Sequence, residues 1–316
     1  MEPGGLSLVV QDRAVEQGQP RDAARPHEAP PQQADLSARL ERLPVGHPSS
    51  PYRDDGTHKP SPLDLSRYEL PLPDDPDSPS GADLPDQPRT APDGSWEWRG
   101  YKLLPEQNLM ADRALAKCLD AEGRDVNGDY GTRGLTPAMR RIEAKLEHGR
   151  LVEDTEKFAL KDPDHFKEKF AKLIIDRPDT DPSELVRRIN DGVRYTFLYD
   201  DAKYSSGVIE VSDAIAAAGY ELYERKNAWM DPAKVYQGVN STRRDQHNDI
   251  LFEVQVHTPS SWHAKQESHQ AYKVGESLIS TPEQRAYTAR HQKEIFAEVP
   301  IPPDVADVPS YRKEGW

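Results

Sequence analysis

The chain has 316 residues, a formal net charge of −14 and one cysteine. The carboxylate surplus excludes general affinity for a nucleic-acid backbone, so DNA is not an expected partner, although a local basic cleft is still allowed. The lone Cys118 excludes an intrachain disulfide and a thiolate zinc cage; no run of about 18 apolar residues offers a membrane span.

Seventeen of the 29 prolines precede residue 93. Residues 1–94 therefore read as a disordered, proline-rich leader or linker, too polar to bury a core. Leu36 to Leu43 fits one short helix, and Leu6 to Val10 is too short for the apolar region of a signal peptide. Order is expected near Trp96 and Trp98, opening a helical N-terminal subdomain over 95–155. Leu104–Glu122 reads as a helix with Leu109, Leu115 and Leu119 on one stripe. Asp125–Asp129 resembles the start of a calcium loop, but Tyr130 and Thr136 stand where its glycine and glutamate are required, which leaves a plain turn. Thr136-Pro137 predicts a helix running to His148.

The main domain is expected over 156–304, with 305–316 as a tail. Asp162-Pro163 predicts an N-cap and a helix that buries Phe166, Phe170 and Leu173. Asp181-Pro182-Ser183-Glu184 predicts another, with a capping box. Strands follow at 193–199, 220–225 and 235–242, with a helix over 205–218 closed by Gly219. The third of these strands would carry Tyr236, Gly238 and Asn240 on one face.

From Asp249 the pattern sharpens. Phe252, Val254 and Val256 alternate with Glu253, Gln255 and His257, so a strand can lay one face on a core and show a carboxylate, an amide and an imidazole on the other. Thr258-Pro259 then starts a helix on which Trp262, Gln266, His269 and Lys273 share a face. A last helix spans Pro282 to Ala297. The expected class is α+β: a mixed central sheet of about four to five strands flanked by helices.

Several groups have the chemistry to converge. Asp191 and Glu253, if their strands are neighbours, would suit Mg2+, which takes oxygen ligands and completes its shell with substrate phosphates. Lys161, Lys167, Lys169, Arg194, Lys226 and Lys234 would bind a polyphosphate, and the Tyr236 ring would stack on a base. Such parts serve phosphoryl or pyrophosphoryl transfer.

The segment from Leu160 to Lys273 resembles the synthetase domain of the RelA/SpoT family, makers of (p)ppGpp-type alarmones. Phe252-Glu253-Val254-Gln255-Val256-His257-Thr258 is similar to that family's E-[VI]-Q-[IL]-R-T strand, with His269 and Tyr272-Lys273 following in a helix. Tyr236 to Asn240 stands at the family's G-Y-x-S-I-H, and Asp191 precedes a strand as its metal-binding aspartate does. The C-terminal half looks most like the RelA/SpoT-like domains ending actinobacterial polymorphic toxins. Asn240 replaces the family's histidine, His257 replaces an arginine, and Gln266 stands in place of a glutamate.

The resemblance implies a nucleotidyltransferase-like synthetase fold and a Mg2+-dependent pyrophosphokinase. Such an enzyme moves the β,γ-diphosphate of ATP to the 3′-hydroxyl of an acceptor nucleotide, giving (p)ppGpp or (p)ppApp. Asp191 and Glu253 would be catalytic and hold the metal. Lys161, Lys167, Lys169, Arg194, Lys226 and Lys234 would take the phosphates, and Tyr236, Asn240, Gln255 and His257 the acceptor, with His269 and Lys273 in support. Alternatives are a toxin that pyrophosphorylates the 3′ end of tRNA and a non-catalytic nucleotide-binding module on the same fold. A toxin would act in the cytoplasm, arrive as an effector without a classical signal peptide, and meet a cognate neutralising protein.

Overall fold

The computed structural model describes residues 87–125 and 128–316. The expected short helix at 36–43 and most of the expected leader lie outside these residues. The ordered fold begins earlier than residue 95: Arg89–Thr90 (β1) pairs antiparallel with Trp96–Trp98 (β2), which pairs with Tyr101–Leu103 (β3). Trp96 and Trp98 are buried, as two neighbouring tryptophans at a domain edge should be.

The fold is α+β with a mixed central sheet of six strands in the order β4-β5-β8-β7-β6-β9. These are Arg150–Leu151 (β4), Arg194–Leu198 (β5), Glu221–Asn227 (β6), Val239–Asp245 (β7), Ile250–His257 (β8) and Tyr311–Arg312 (β9). The four long strands match the expected number, and the two additions are two-residue edges. One of them corrects the view of 305–316 as a tail. Val305 and Val308 are buried in the main core, Asn227 Nδ2 donates to both their carbonyls at 2.8 and 2.9 Å, and β9 pairs with β6.

The helices are Pro105–Glu122 (α1), Leu135–Glu143 (α2), Thr155–Phe158 (α3), Pro163–Asp176 (α4), Pro182–Arg187 (α5), Tyr204–Ala217 (α6), Pro259–Glu276 (α7) and Pro282–Ala297 (α8). Asp162 caps α4 as predicted, its carboxylate accepting from the Asp164 and His165 amides. Thr258 and Thr281 cap α7 and α8 in the same way. Helix α2 corrects the expectation: Gly134 precedes it at φ 103, and it ends at Glu143 rather than His148. Thr136 is no cap, because its hydroxyl turns inward to Glu122 and to Tyr195. At α5, Asp181 caps as expected, but Glu184 turns to Arg188 instead of closing the box.

Residues 95–155 serve two cores. One joins Trp96, Trp98, Tyr101 and Leu103 to α1, α4 and α5. The larger one packs α2 and α6 against Tyr195, Phe197, Phe252, Val254 and Val256 on one face of the sheet. The other face is covered only in part. Trp262 of α7 packs on Val152 and Leu198, and Ala264 of α7 meets Phe296 of α8 and Val299. The rest of this face carries the polar residues of β5, β7 and β8, most of them buried.

Gly192 sets the spacing at the entrance to β5. A Cβ there would lie 2.7 Å from Cys118 Sγ of α1 and 3.2 Å from the Phe166 ring of α4. Gly192→Ala should push both helices outward and destabilise the chain by about 1–3 kcal/mol. Chemical denaturation checks this, and an unchanged midpoint would contradict the packing.

Candidate active site

Strand β5 runs parallel to β8 with Arg194 opposite Glu253, Thr196 opposite Gln255 and Leu198 opposite His257. Strand β7 pairs β8 on its other side, with Asn240 opposite Gln255 and Thr242 opposite Glu253. Cross-strand neighbours share a face. Arg194, Glu253, Gln255, His257 and Asn240 therefore project together toward α7, while Phe252, Val254 and Val256 project into the core.

These side chains form one directional relay. Asn240 Nδ2 donates to Glu253 Oε1 at 3.2 Å, and Gln255 Nε2 donates to Glu253 Oε2 at 2.9 Å. The carboxylate, which only accepts, thus fixes both amides. Asn240 then offers its oxygen to the Tyr236 hydroxyl at 2.6 Å. That bond uses the single hydroxyl proton of Tyr236, so His257 Nε2, 2.7 Å from the same oxygen, carries the proton that closes the next link. His257 Nδ1 is then the acceptor for the Ser261 hydroxyl at 2.9 Å, and Ser261 Oγ accepts the Thr258 amide at 3.0 Å. From the other side Lys265 Nζ and the Thr196 hydroxyl both donate to Gln255 Oε1. Every link points toward Glu253. Gly238 permits the closest step, because a Cβ there would lie 2.8 Å from His257 Cε1 and 2.9 Å from the Tyr236 hydroxyl.

Tyr236 therefore occupies a place the sequence did not suggest. It lies in the loop before β7 rather than on a strand face. Its hydroxyl is held by Asn240 and His257, and its ring meets His257 edge-on at 5.2 Å and leans on Phe296.

Asp191 stands beside Gly192 at the head of β5. Lys169 Nζ reaches Oδ1 at 2.7 Å and Lys161 Nζ reaches Oδ2 at 3.0 Å. Burial alone would raise its carboxyl; the two lysines, with Arg194, overcome that and hold it far below the usual range. Lys161 is placed by backbone pairing, its amide donating to the Gly192 carbonyl.

The remaining expected cations divide. Lys167 points away from this face, to Asp112 of α1 at 2.8 Å. Lys226 is in register with Asn240, but its ammonium is exposed and pairs with Glu224 at 2.8 Å. Lys234 is exposed on the loop before β7. Lys265, absent from the expected set, lies at the centre of the face. It sits over the Trp262 ring at 4.5 Å, and burial, then Arg194, pushes its ammonium well down. The signal was present, since 265 is three after Trp262 and four before His269. Among the described residues, Arg194, Lys265 and Lys273 make no ion pair.

No family model matches the sequence, and no curated protein matches it. Three solved structures are among those similar to this chain. A small alarmone synthetase 1 from Bacillus subtilis bound to its product pppGpp is 12% identical, over 48% of this chain and 70% of that chain, with a TM-score of 0.31. The type VI effector Tas1, in complex with its immunity protein, is 20% identical, over 60% and 96%, with a TM-score of 0.34. A GTP pyrophosphokinase family protein from Streptococcus pneumoniae is 15% identical, over 62% and 92%, with a TM-score of 0.36.

The two histidines of this face are kept neutral. Burial, then Lys265 and Arg194, holds His257 well below its ordinary value. Burial, then Lys273 and Arg194, lowers His269 from 6.5 to about 3. An unfolded chain therefore binds more protons here than the folded one between those two values, so stability falls as pH drops from 6.5 toward about 3. His269→Gln should flatten that part of the stability-against-pH curve. Equal slopes for wild type and variant, read by denaturant unfolding across that range, would contradict the placement of His269.

Proposed function

We propose that this chain is a pyrophosphokinase that moves the β,γ-diphosphate of ATP to the 3′-hydroxyl of an acceptor nucleotide. One observation carries the reading: Arg194, Lys265 and Lys273, free of ion pairs among the described residues, share a face with a Glu253 held by the relay, in a chain whose net charge is −14. Cations without a direct ion pair in an acidic protein suit a ligand that brings its own negative charge, and a polyphosphate brings several.

In this reading the acceptor's 3′-oxygen attacks the β-phosphorus, the bond from that phosphorus to the bridging α–β oxygen breaks, and AMP leaves. Glu253 takes the hydroxyl proton. Each of its oxygens holds one amide donor, which leaves a lone pair on each for that task. Arg194 offers a planar fork to the phosphates, while Lys265 and Lys273 offer compact charge that needs no rearrangement as negative charge moves to the leaving oxygen. Lys161 and Lys169 hold Asp191 ionised. Mg2+ suits the oxygens of Asp191 and Glu253, each of which has one protein donor and so keeps a lone pair. Asp191 and Glu253 would hold it, and it would neutralise phosphate charge when bound.

We further read the activity as that of a toxin or delivered effector acting in the cytoplasm, with a neutralising protein partner. Among the described residues, no helix is long and apolar enough to cross a membrane. A second reading, a nucleotide-binding module without catalysis, draws support from Asp191, whose two oxygens are both engaged by lysines.

The deciding experiment incubates the protein with γ-labelled ATP, Mg2+ and, separately, GDP, GTP, ADP, AMP and deacylated tRNA. Label should pass to one acceptor, and Glu253→Gln should abolish the transfer while the variant still unfolds cooperatively. ATP binding with no transfer to any acceptor would favour the second reading, and full activity in Glu253→Gln would overturn the role of Glu253.

A further inference from the structure

The opposite face of the same sheet holds a second group of cations, outside the site described above. Arg225 of β6 and Arg243 of β7 project beneath α6, where the neighbouring side chains are Val208, Val211 and Ile215. Arg243 is 1% exposed and Arg225 9% exposed. Their Nη2 atoms converge on one hydroxyl: Arg243 donates to Ser212 Oγ at 2.6 Å and Arg225 to the same oxygen at 2.7 Å.

Two buried guanidinium groups sharing one neutral acceptor are far from satisfied. Arginine does not lose its proton in a protein, so both charges persist. Neither residue makes an ion pair among the described residues, and Arg243 Nε and Nη1 have no hydrogen-bond partner. Asp213, the carboxylate that acts on both, lies exposed on α6. Burial, then Arg225, pushes the Arg243 guanidinium down to about 10. A buried charge without a counter-charge is among the costliest arrangements a fold can contain. Nothing in the relay on the other face uses these residues.

A cavity of about 10 Å³ lies between the two arginines, Ser212, Ser241 and the aliphatic side chains of α6 and the sheet. It has room for roughly one sphere of water size. A ligand of one heavy atom suits that size better than phosphate, sulfate or a carboxylate, each of which has several. Ser212 Oγ already accepts from both arginines, so its own hydrogen is free to donate. Arg243 adds its unpartnered Nε and Nη1 protons. The lining therefore presents N–H and O–H donors with an excess of positive charge.

We propose that this cavity is a binding site for a monatomic anion, chloride being the halide such a chain would meet, held by Arg243, Arg225 and Ser212. The ion supplies the missing counter-charge between α6 and the sheet. It makes the stability of the core depend on halide as a specific ligand, apart from the general screening by salt.

The test is thermal unfolding of the full chain at constant ionic strength, with sodium gluconate replaced stepwise by sodium chloride or sodium bromide. The midpoint should rise with halide and saturate. At a chloride concentration 100 times the dissociation constant, the folding equilibrium should shift about 100-fold toward the native state. Arg243→Met should remove the halide dependence. Equal midpoints in gluconate and chloride for the wild type would overturn the proposal and leave a water molecule as the occupant. A halide-specific rise that persists in Arg243→Met would overturn the assignment to this cavity. Should Arg243→Met fail to fold, the anomalous signal of bromide in crystals of the wild type decides. A peak within hydrogen-bond distance of Arg243 Nε or Nη1 supports the site, and an empty or water-filled cavity refutes it.

Discussion

The parallel pairing of β5 with β8 is the constraint on which the candidate site rests. It sets Arg194 beside Glu253 and carries Asp191 to the same end of the sheet. Antiparallel β7 then brings Asn240 up to the Glu253 carboxylate from the other side. A shift of one residue in either register would turn the relay into the core and the core valines outward. The hydrophobic alternation that packs Phe252, Val254 and Val256 under α6 therefore also aims Glu253, Gln255 and His257. Stability and the placement of the chemistry share one cause.

Around that frame the electrostatics are uneven. The chain as a whole is strongly acidic, and many exposed lysines and arginines are matched by nearby carboxylates. On the α7 side of the sheet the balance inverts. Arg194, Lys265 and Lys273 crowd together; burial, then these cations, keeps His257 and His269 neutral, and burial, then Arg194, lowers Lys265. Such a cluster is maintained against its own repulsion by the packing of Trp262 on Leu198 and by the rigid caps of α4 and α7. A polyanionic ligand would relieve the strain, so binding energy and local stability are coupled in the same groups.

Much of this was legible in the sequence, for definite reasons. Alternation over Phe252–His257 announced the strand, and Asp162 and Thr258 announced helix starts through chemistry internal to a few residues. Lys161, Lys169 and Asp191 were expected at one site and do meet there, but with both lysines on the Asp191 carboxylate, a pairing the sequence did not suggest. What escaped depended on direction or on tertiary context. Lys167 lies two residues from Lys169, but about 200° of helical rotation separates them, which sends it to Asp112 instead. Lys265 was not singled out, because lysine is rarely buried. Tyr236 seemed fit for a strand until Gly238, pressed against His257, marked where the loop ends. The return of residues 305–316 onto β6 rests on the side chain of Asn227, distant in sequence and without a local signal.

The central claim is that the unpaired cations of the α7 face bind a polyphosphate. Calorimetric titration of Mg2+-ATP into the wild type and into Arg194→Met, at one fixed salt concentration, tests it most directly. The account predicts that removing this guanidinium weakens binding by about tenfold or more, the worth of a hydrogen bond to a charged group. Equal affinities, in a variant that unfolds with the wild-type midpoint, would contradict it.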